Sequence, residues 1–115
     1  MGTTPEEAAQ ILAAAGADVI GANCGQGIAG FAALCQRLHA ATDRPIWLKP
    51  NAGLPQLANG KVQYNTSPRE FAMCAARLVQ AGAHFIGGCC GTNPEFIRAL
   101  CQLISKELPP RAIQS

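Results

Sequence analysis

Four stretches of the chain carry apolar residues at helical spacing, and three short runs between them are apolar almost without a break. The first helical stretch covers residues 4–15. Thr4 is a good N-cap, Pro5 suits the first helical position, and Glu7 completes a T-x-x-E capping box before a run of alanines ends at Gly16. The second covers residues 28–41, with Phe31, Leu34, Cys35 and Leu38 on one face. The third opens on Ser67-Pro68-Arg69-Glu70, a second capping box, and carries Phe71, Cys74 and Leu78 before Gly82. The fourth spans residues 94–107. Its predicted buried stripe is Ile97, Leu100, Cys101 and Ile104, and Pro109-Pro110 stops it. The apolar runs read as buried strands over residues 17–22, 45–49 and 83–88. Residues 23–27 are then the loop leaving the first strand. Residues 56–66 form a longer loop around Asn59-Gly60, in which residues 61–64 are extended as a short hairpin arm.

The order is α-β-α-β-α-β-α, which implies an α/β fold with parallel strands joined by right-handed helical crossovers. A weak internal repeat runs through it. Thr4-Pro5 followed by AGADVIGANCG echoes Ser67-Pro68 followed by AGAHFIGGCCG, and the repeat sets Cys24 against Cys90. Repeated βα units suit a (β/α)8 TIM barrel or a doubly wound sheet. Three strands do not close a barrel, which needs eight strands and about 250 residues. On the barrel reading, residues 1–115 are the C-terminal part of a larger domain, about three βα units. An open three-stranded sheet by itself leaves edges and an apolar face exposed, and self-association is the expected remedy.

Composition narrows the function. Apolar residues make up 49% of the chain and charged residues 14%, which argues against disorder and leaves apolar faces to be buried against something else. The nine basic residues are scattered and the net charge is only +2, so no nucleic-acid partner is expected. The apolar runs are far shorter than a membrane span, and no membrane partner is expected. Pro5-Glu6-Glu7 interrupts any signal-peptide pattern. Six cysteines in a short chain can mean a secreted disulfide scaffold. Cys35, Cys74 and Cys101, however, lie in apolar helical patterns, where free cysteine is an ordinary core residue. A reduced, cytoplasmic protein is the expectation.

The remaining cysteines carry the candidate chemistry. Cys24, Cys89 and Cys90 each fall just beyond the C-terminal end of a predicted strand, the end at which α/β folds build their sites. Gly87, Gly88 and Gly91 around the pair permit unusual backbone angles and close approach. Three thiolates suit a borderline-soft ion such as Zn²⁺, and catalytic zinc keeps three protein ligands and one open position. A vicinal disulfide at Cys89-Cys90 and a purely structural zinc are the competing readings. Structural zinc requires a fourth ligand, and neither His39 nor His84 stands in an obvious place. Asn51, just past the second strand, is either a turn former or part of the site. The Gly25 and Gly27 pair is too loose for a dinucleotide fingerprint. The helix start after Thr92 or Asn93 can orient a carboxylate near the metal.

Three segments in this order resemble the homocysteine S-methyltransferase family: residues 21–24 (GANC), 49–55 (KPNAGLP) and 87–97 (GGCCGTNPEFI). The likeness is to the homocysteine-binding zinc domain of the cobalamin-dependent methionine synthases, and the PNAGLP form leans to that branch over the betaine-dependent one. The resemblance implies a (β/α)8 barrel, of which this chain supplies the sixth to eighth βα units. It implies Zn²⁺ on Cys24, Cys89 and Cys90, which act catalytically through the metal, and Asn51 approaching the metal when substrate is absent. It also implies homocysteine as substrate beside Asn51, Gly88 and Gly91, with methylcobalamin as methyl donor and folate and cobalamin domains, or a chain supplying the missing units, as partners. Phe96 departs from the family, which commonly has histidine there. A non-catalytic zinc- or thiol-binding module is the alternative, and a betaine or S-methylmethionine donor is a further one.

Overall fold

The computed structural model describes residues 2–25 and 27–107. Helix α1, Pro5–Ala14, starts as the capping box dictates: Thr4 Oγ1 accepts the Glu7 N–H at 3.1 Å. Strand β1, Ile20–Cys24, begins three residues later than the apolar run suggests. Ala17 is still bound to the helix end, its N–H donating to Leu12 O at 3.0 Å, and the first bond to the next strand is made by Ile20 N–H. Cys24 is therefore the last residue of the strand and not part of the loop. A single 3-10 turn, Ile28–Gly30, precedes α2, Phe31–Ala41. Strand β2, Ile46–Pro50, follows.

The long loop resolves into an antiparallel hairpin, β3 (Pro55–Ala58) and β4 (Lys61–Tyr64). Asn59 and Gly60 both have positive φ, +53° and +76°, the pair of left-handed residues that a tight two-residue hairpin turn requires. Helix α3, Pro68–Gln80, repeats the α1 cap, with Ser67 Oγ accepting the Glu70 N–H at 3.1 Å. Strand β5 is only Phe85–Ile86, so Gly87 and Gly88 lie beyond it. Helix α4 spans Pro94–Glu107, and Pro109-Pro110 lies outside the described residues.

The fold is α/β, with one parallel sheet in the order β1-β2-β5. Its register sets Cys24 opposite Pro50 and Leu48 opposite Ile86. Alternation along β2 gives the sheet two unlike faces. Ile46, Leu48 and Pro50 are buried towards the helices with Ile20, Phe31, Cys35, Leu38, Phe71 and Leu78. Trp47 and Phe85 lie on the other face, about half exposed at 48% and 51%, with their rings 6.2 Å apart. Helices α3 and α4 meet through Phe71 and Phe96, edge to face at 5.5 Å. That contact rotates α4 away from the predicted stripe. Of that stripe Leu100 is buried and Ile104 packs against the core, whereas Ile97 and Cys101 are exposed and Phe96 is buried in their stead. Cys74 is half-buried, and of the three helical cysteines Cys35 alone belongs to the core. Arg37 ties α2 to α1 through paired hydrogen bonds to Glu6 at 2.6 and 2.7 Å, which hold the Glu6 carboxyl below its ordinary pKa.

Candidate metal centre

Strands β1 and β5 are separated by β2, so their ends meet only because the exit of β2 is laced to both. Asn51 N–H donates to Cys24 O at 3.4 Å, Cys89 N–H to Pro50 O at 3.0 Å, and Ala52 N–H to Cys90 O at 2.9 Å. On the β1 side the chain turns sharply. Cys24 has φ +62°, a left-handed conformation rarely adopted by residues with a side chain, and Gly25 continues it at +74°. Such a conformation costs roughly 1–2 kcal/mol and persists where surrounding structure enforces it. Its effect here is to turn the Cys24 thiol across the top of β2.

The three sulfurs of Cys24, Cys89 and Cys90 lie within 4.8 Å of one another. Cys24 Sγ is 2.8 Å from Cys89 Sγ, and Cys89 Sγ is 3.9 Å from Cys90 Sγ. All six cysteines are free thiols, so the adjacent pair is not a disulfide. The internal repeat set Cys24 against Cys90. In the sheet, the register carries Cys24 to the level of Gly88, and it is Cys89 that approaches Cys24 most closely. Asn51 sits beneath the sulfurs, 8% exposed, with both ends of its amide engaged. Its Oδ1 accepts the Cys90 N–H and its Nδ2 donates to Gly25 O, each at 3.0 Å. One buried side chain thus clamps together the two loops that bear the thiols.

The thiols polarise one another. The hydrogen bond shared with Cys89 pushes the Cys24 thiol up to about 11, and burial adds to this. The same bond lowers Cys89, helped by backbone and side-chain donation around the sulfur. Cys89 is therefore the first of this pair to become a thiolate. The donor set fits zinc chemically, being three soft sulfurs and no oxygen. A tetrahedral site with Zn–S bonds of about 2.3 Å separates its sulfurs by roughly 3.8 Å. The Cys89–Cys90 spacing matches that, and the Cys24–Cys89 spacing lies inside it.

The glycines divide by role. Gly91 has φ +82°, and a Cβ there would overlap the Tyr64 ring. At Gly88 a side chain would collide with Thr92, whose hydroxyl donates to Cys89 O at 2.6 Å. Gly87 is in ordinary contact with its neighbours. His84 is structural: its N–H donates to Ile46 O at 2.8 Å, and its Nδ1 accepts the Ile46 N–H at 3.2 Å. His39 is exposed on α2. Sequence reasoning missed Tyr64, although the alternation in KVQY beside Asn59-Gly60 places it at the hairpin root.

The model of the family described as homocysteine S-methyltransferase matches residues 1–104. The chain belongs to this family. Among its curated relatives, the methionine synthase of Mycobacterium leprae is 35% identical over 92 residues, covering 79% of this chain and 8% of that protein. The methionine synthase of Mycobacterium tuberculosis is 35% identical over 91 residues, covering 78% of this chain and 8% of that protein. The chain therefore spans about 8% of the length of these homocysteine S-methyltransferase family relatives. Phe96, where the family commonly has histidine, is a core residue against Phe71 and stands apart from the thiols in role. Among the described residues no helix is long and apolar enough to cross a membrane.

Proposed function

We propose that this chain is the thiol-activating part of a homocysteine S-methyltransferase, which transfers a methyl group to homocysteine sulfur. The observation that carries the reading is the convergence of three free thiols from two separate strand ends within 4.8 Å, in a chain of this family. Cys24, Cys89 and Cys90 would hold one Zn²⁺, and Asn51, Gly88 and Gly91 would border the homocysteine position. Zinc, when bound, lowers the pKa of a coordinated thiol so that a thiolate exists near neutral pH. The chain's own residues set the conditions for that. The lowered Cys89 thiol supplies the first thiolate, Asn51 fixes the distance between the loops, and Thr92 holds the carbonyl of Cys89. No side chain here is needed as a general base.

The parallel βα units and the open Trp47–Phe85 face support a (β/α)8 barrel in which residues 1–115 form part of the homocysteine-binding domain. The rest of such a barrel would cover that face. The methyl donor is read by residues outside this chain, and methylcobalamin carried on a partner domain is the donor the resemblance favours. A cytoplasmic setting suits six free thiols. The open Trp47–Phe85 face also admits a second reading, a zinc- or thiol-binding module that covers that face by self-association. Metal analysis of the reduced chain and its variants tests the shared core of both. One zinc per chain is expected, with loss of zinc in Cys24→Ala, Cys89→Ala and Cys90→Ala and retention in Cys101→Ala. Retention of zinc in the Cys89→Ala protein would sink the triad.

A further inference from the structure

The β3–β4 hairpin adds nothing to the parallel sheet, and its outer residues Leu57 and Val62 are largely exposed. Its root, however, is fastened to the thiol cluster at two points. Asn65 and Thr66 close over Gly53, where a Cβ would overlap Asn65 and lie 2.9 Å from Thr66 Oγ1. Thr66 N–H donates to Ala52 O at 3.1 Å, and Ala52 in turn donates to Cys90 O. Tyr64, the last residue of β4, lies against Gly91. A Cβ at Gly91 would overlap the ring, with both Cδ atoms 2.6 Å away, which places Gly91 over the face of the ring.

We infer that Tyr64 is a positioning residue that steadies the Cys89–Thr92 turn carrying the Cys90 thiol. Cys90 is the most exposed of the three cysteines and has the least packing of its own. Its N–H is held by Asn51 and its C=O, on the peptide shared with Gly91, by Ala52, so both of its peptide groups are tied to the exit of β2. The torsions left to hold are those of Gly91, a residue with no side chain to restrict it and a positive φ to maintain. A flat, rigid ring laid on Gly91 removes that freedom at little entropic cost to itself. The hairpin exists, on this reading, to deliver that ring, and its tight Asn59-Gly60 turn sets the register that brings Tyr64 to the root. The inference rests on the proposed metal centre for its purpose but not for its test.

The test is amide hydrogen exchange by NMR in the metal-free, reduced full chain. The reporters are the Cys90 N–H, bound to Asn51, and the Thr92 N–H, bound to Cys89 O at 3.1 Å. Replacement of Tyr64 by leucine should speed exchange at both by about tenfold while α1 amides are unchanged, and Tyr64→Phe should leave both alone. Unchanged exchange in Tyr64→Leu, or acceleration in Tyr64→Phe equal to that in Tyr64→Leu, would overturn the role. Should Tyr64→Leu unfold, the wild-type chain still decides: nuclear Overhauser contacts from the Tyr64 ring to the Gly91 α-protons are expected, and their absence refutes the placement. Co²⁺ titration then reads the consequence. Tyr64→Leu should bind Co²⁺ about tenfold more weakly with reduced thiolate-to-cobalt absorption, while the exposed-hairpin control Leu57→Ser matches wild type. Wild type that fails to bind Co²⁺ counts against the metal reading alone.

Discussion

At the scale of single residues, the centre depends on groups that are not its donors. Asn51 satisfies the Cys90 N–H and the Gly25 carbonyl from one buried amide. Asn51→Ala leaves both without their partner and should cost about 1–3 kcal/mol of stability. It should also weaken zinc binding by about 10- to 100-fold, as loss of supporting hydrogen bonds does at metal sites. Competition with a chromophoric chelator reads the second effect and thermal unfolding the first. The thiols also set a pH dependence. Cys24, pushed up to about 11 by its bond to Cys89, keeps its proton at neutral pH in the metal-free chain and must release it on binding. Zinc affinity should therefore rise with pH by about tenfold per unit for each proton released. Calorimetry in buffers of different ionisation enthalpy measures that release, and an affinity flat between neutral and mildly alkaline pH would contradict it. The three cysteines that converge could be named from their positions beside glycines at strand ends. Asn51's clamp and the positive φ of Cys24 could not, because both depend on how the exit of β2 is threaded between two strands remote in sequence.

At the scale of elements, local signals and tertiary packing carried different amounts of information. The two capping boxes fix the starts of α1 and α3 through a side-chain bond within four residues, so they are readable directly from Thr4-Pro5 and Ser67-Pro68. Ser67→Ala should destabilise the chain by about 1 kcal/mol, whereas Ser67→Asn should be near neutral; denaturant titration checks both. The Asn59-Gly60 turn announces its hairpin in the same local way. Strand ends were less legible. Strand β1 starts late because the α1 exit holds Ala17, and β5 is only two residues long although Gly87 N–H still donates to Leu48 O at 2.9 Å and Cys89 N–H to Pro50 O at 3.0 Å. The predicted stripe on α4 holds at Leu100 and Ile104 and fails at Ile97 and Cys101, which share the four-residue spacing of Phe96 and Leu100. Only the edge-to-face contact of Phe96 with Phe71 decides between the two faces.

At the scale of the whole molecule, the α-β alternation made the parallel sheet legible, and the repeat made it plain that similar units recur. What periodicity could not supply is the asymmetry of the sheet's two faces. Ile46, Leu48 and Pro50 are covered by this chain's own helices, while Trp47 and Phe85 are left for something else to cover. The thiols stand at the C-terminal ends of the strands, held from below by β2 and from the side by the hairpin. On the proposed function these three sulfurs bind one zinc and leave a place for a fourth sulfur from homocysteine. Zinc K-edge X-ray absorption on the reduced, zinc-loaded chain tests it most directly, with and without homocysteine. A first shell of three sulfurs and one lighter atom is expected, which becomes four sulfurs when homocysteine is added. A first shell with fewer than three sulfurs before addition, or one that gains no sulfur at saturating homocysteine, would contradict it.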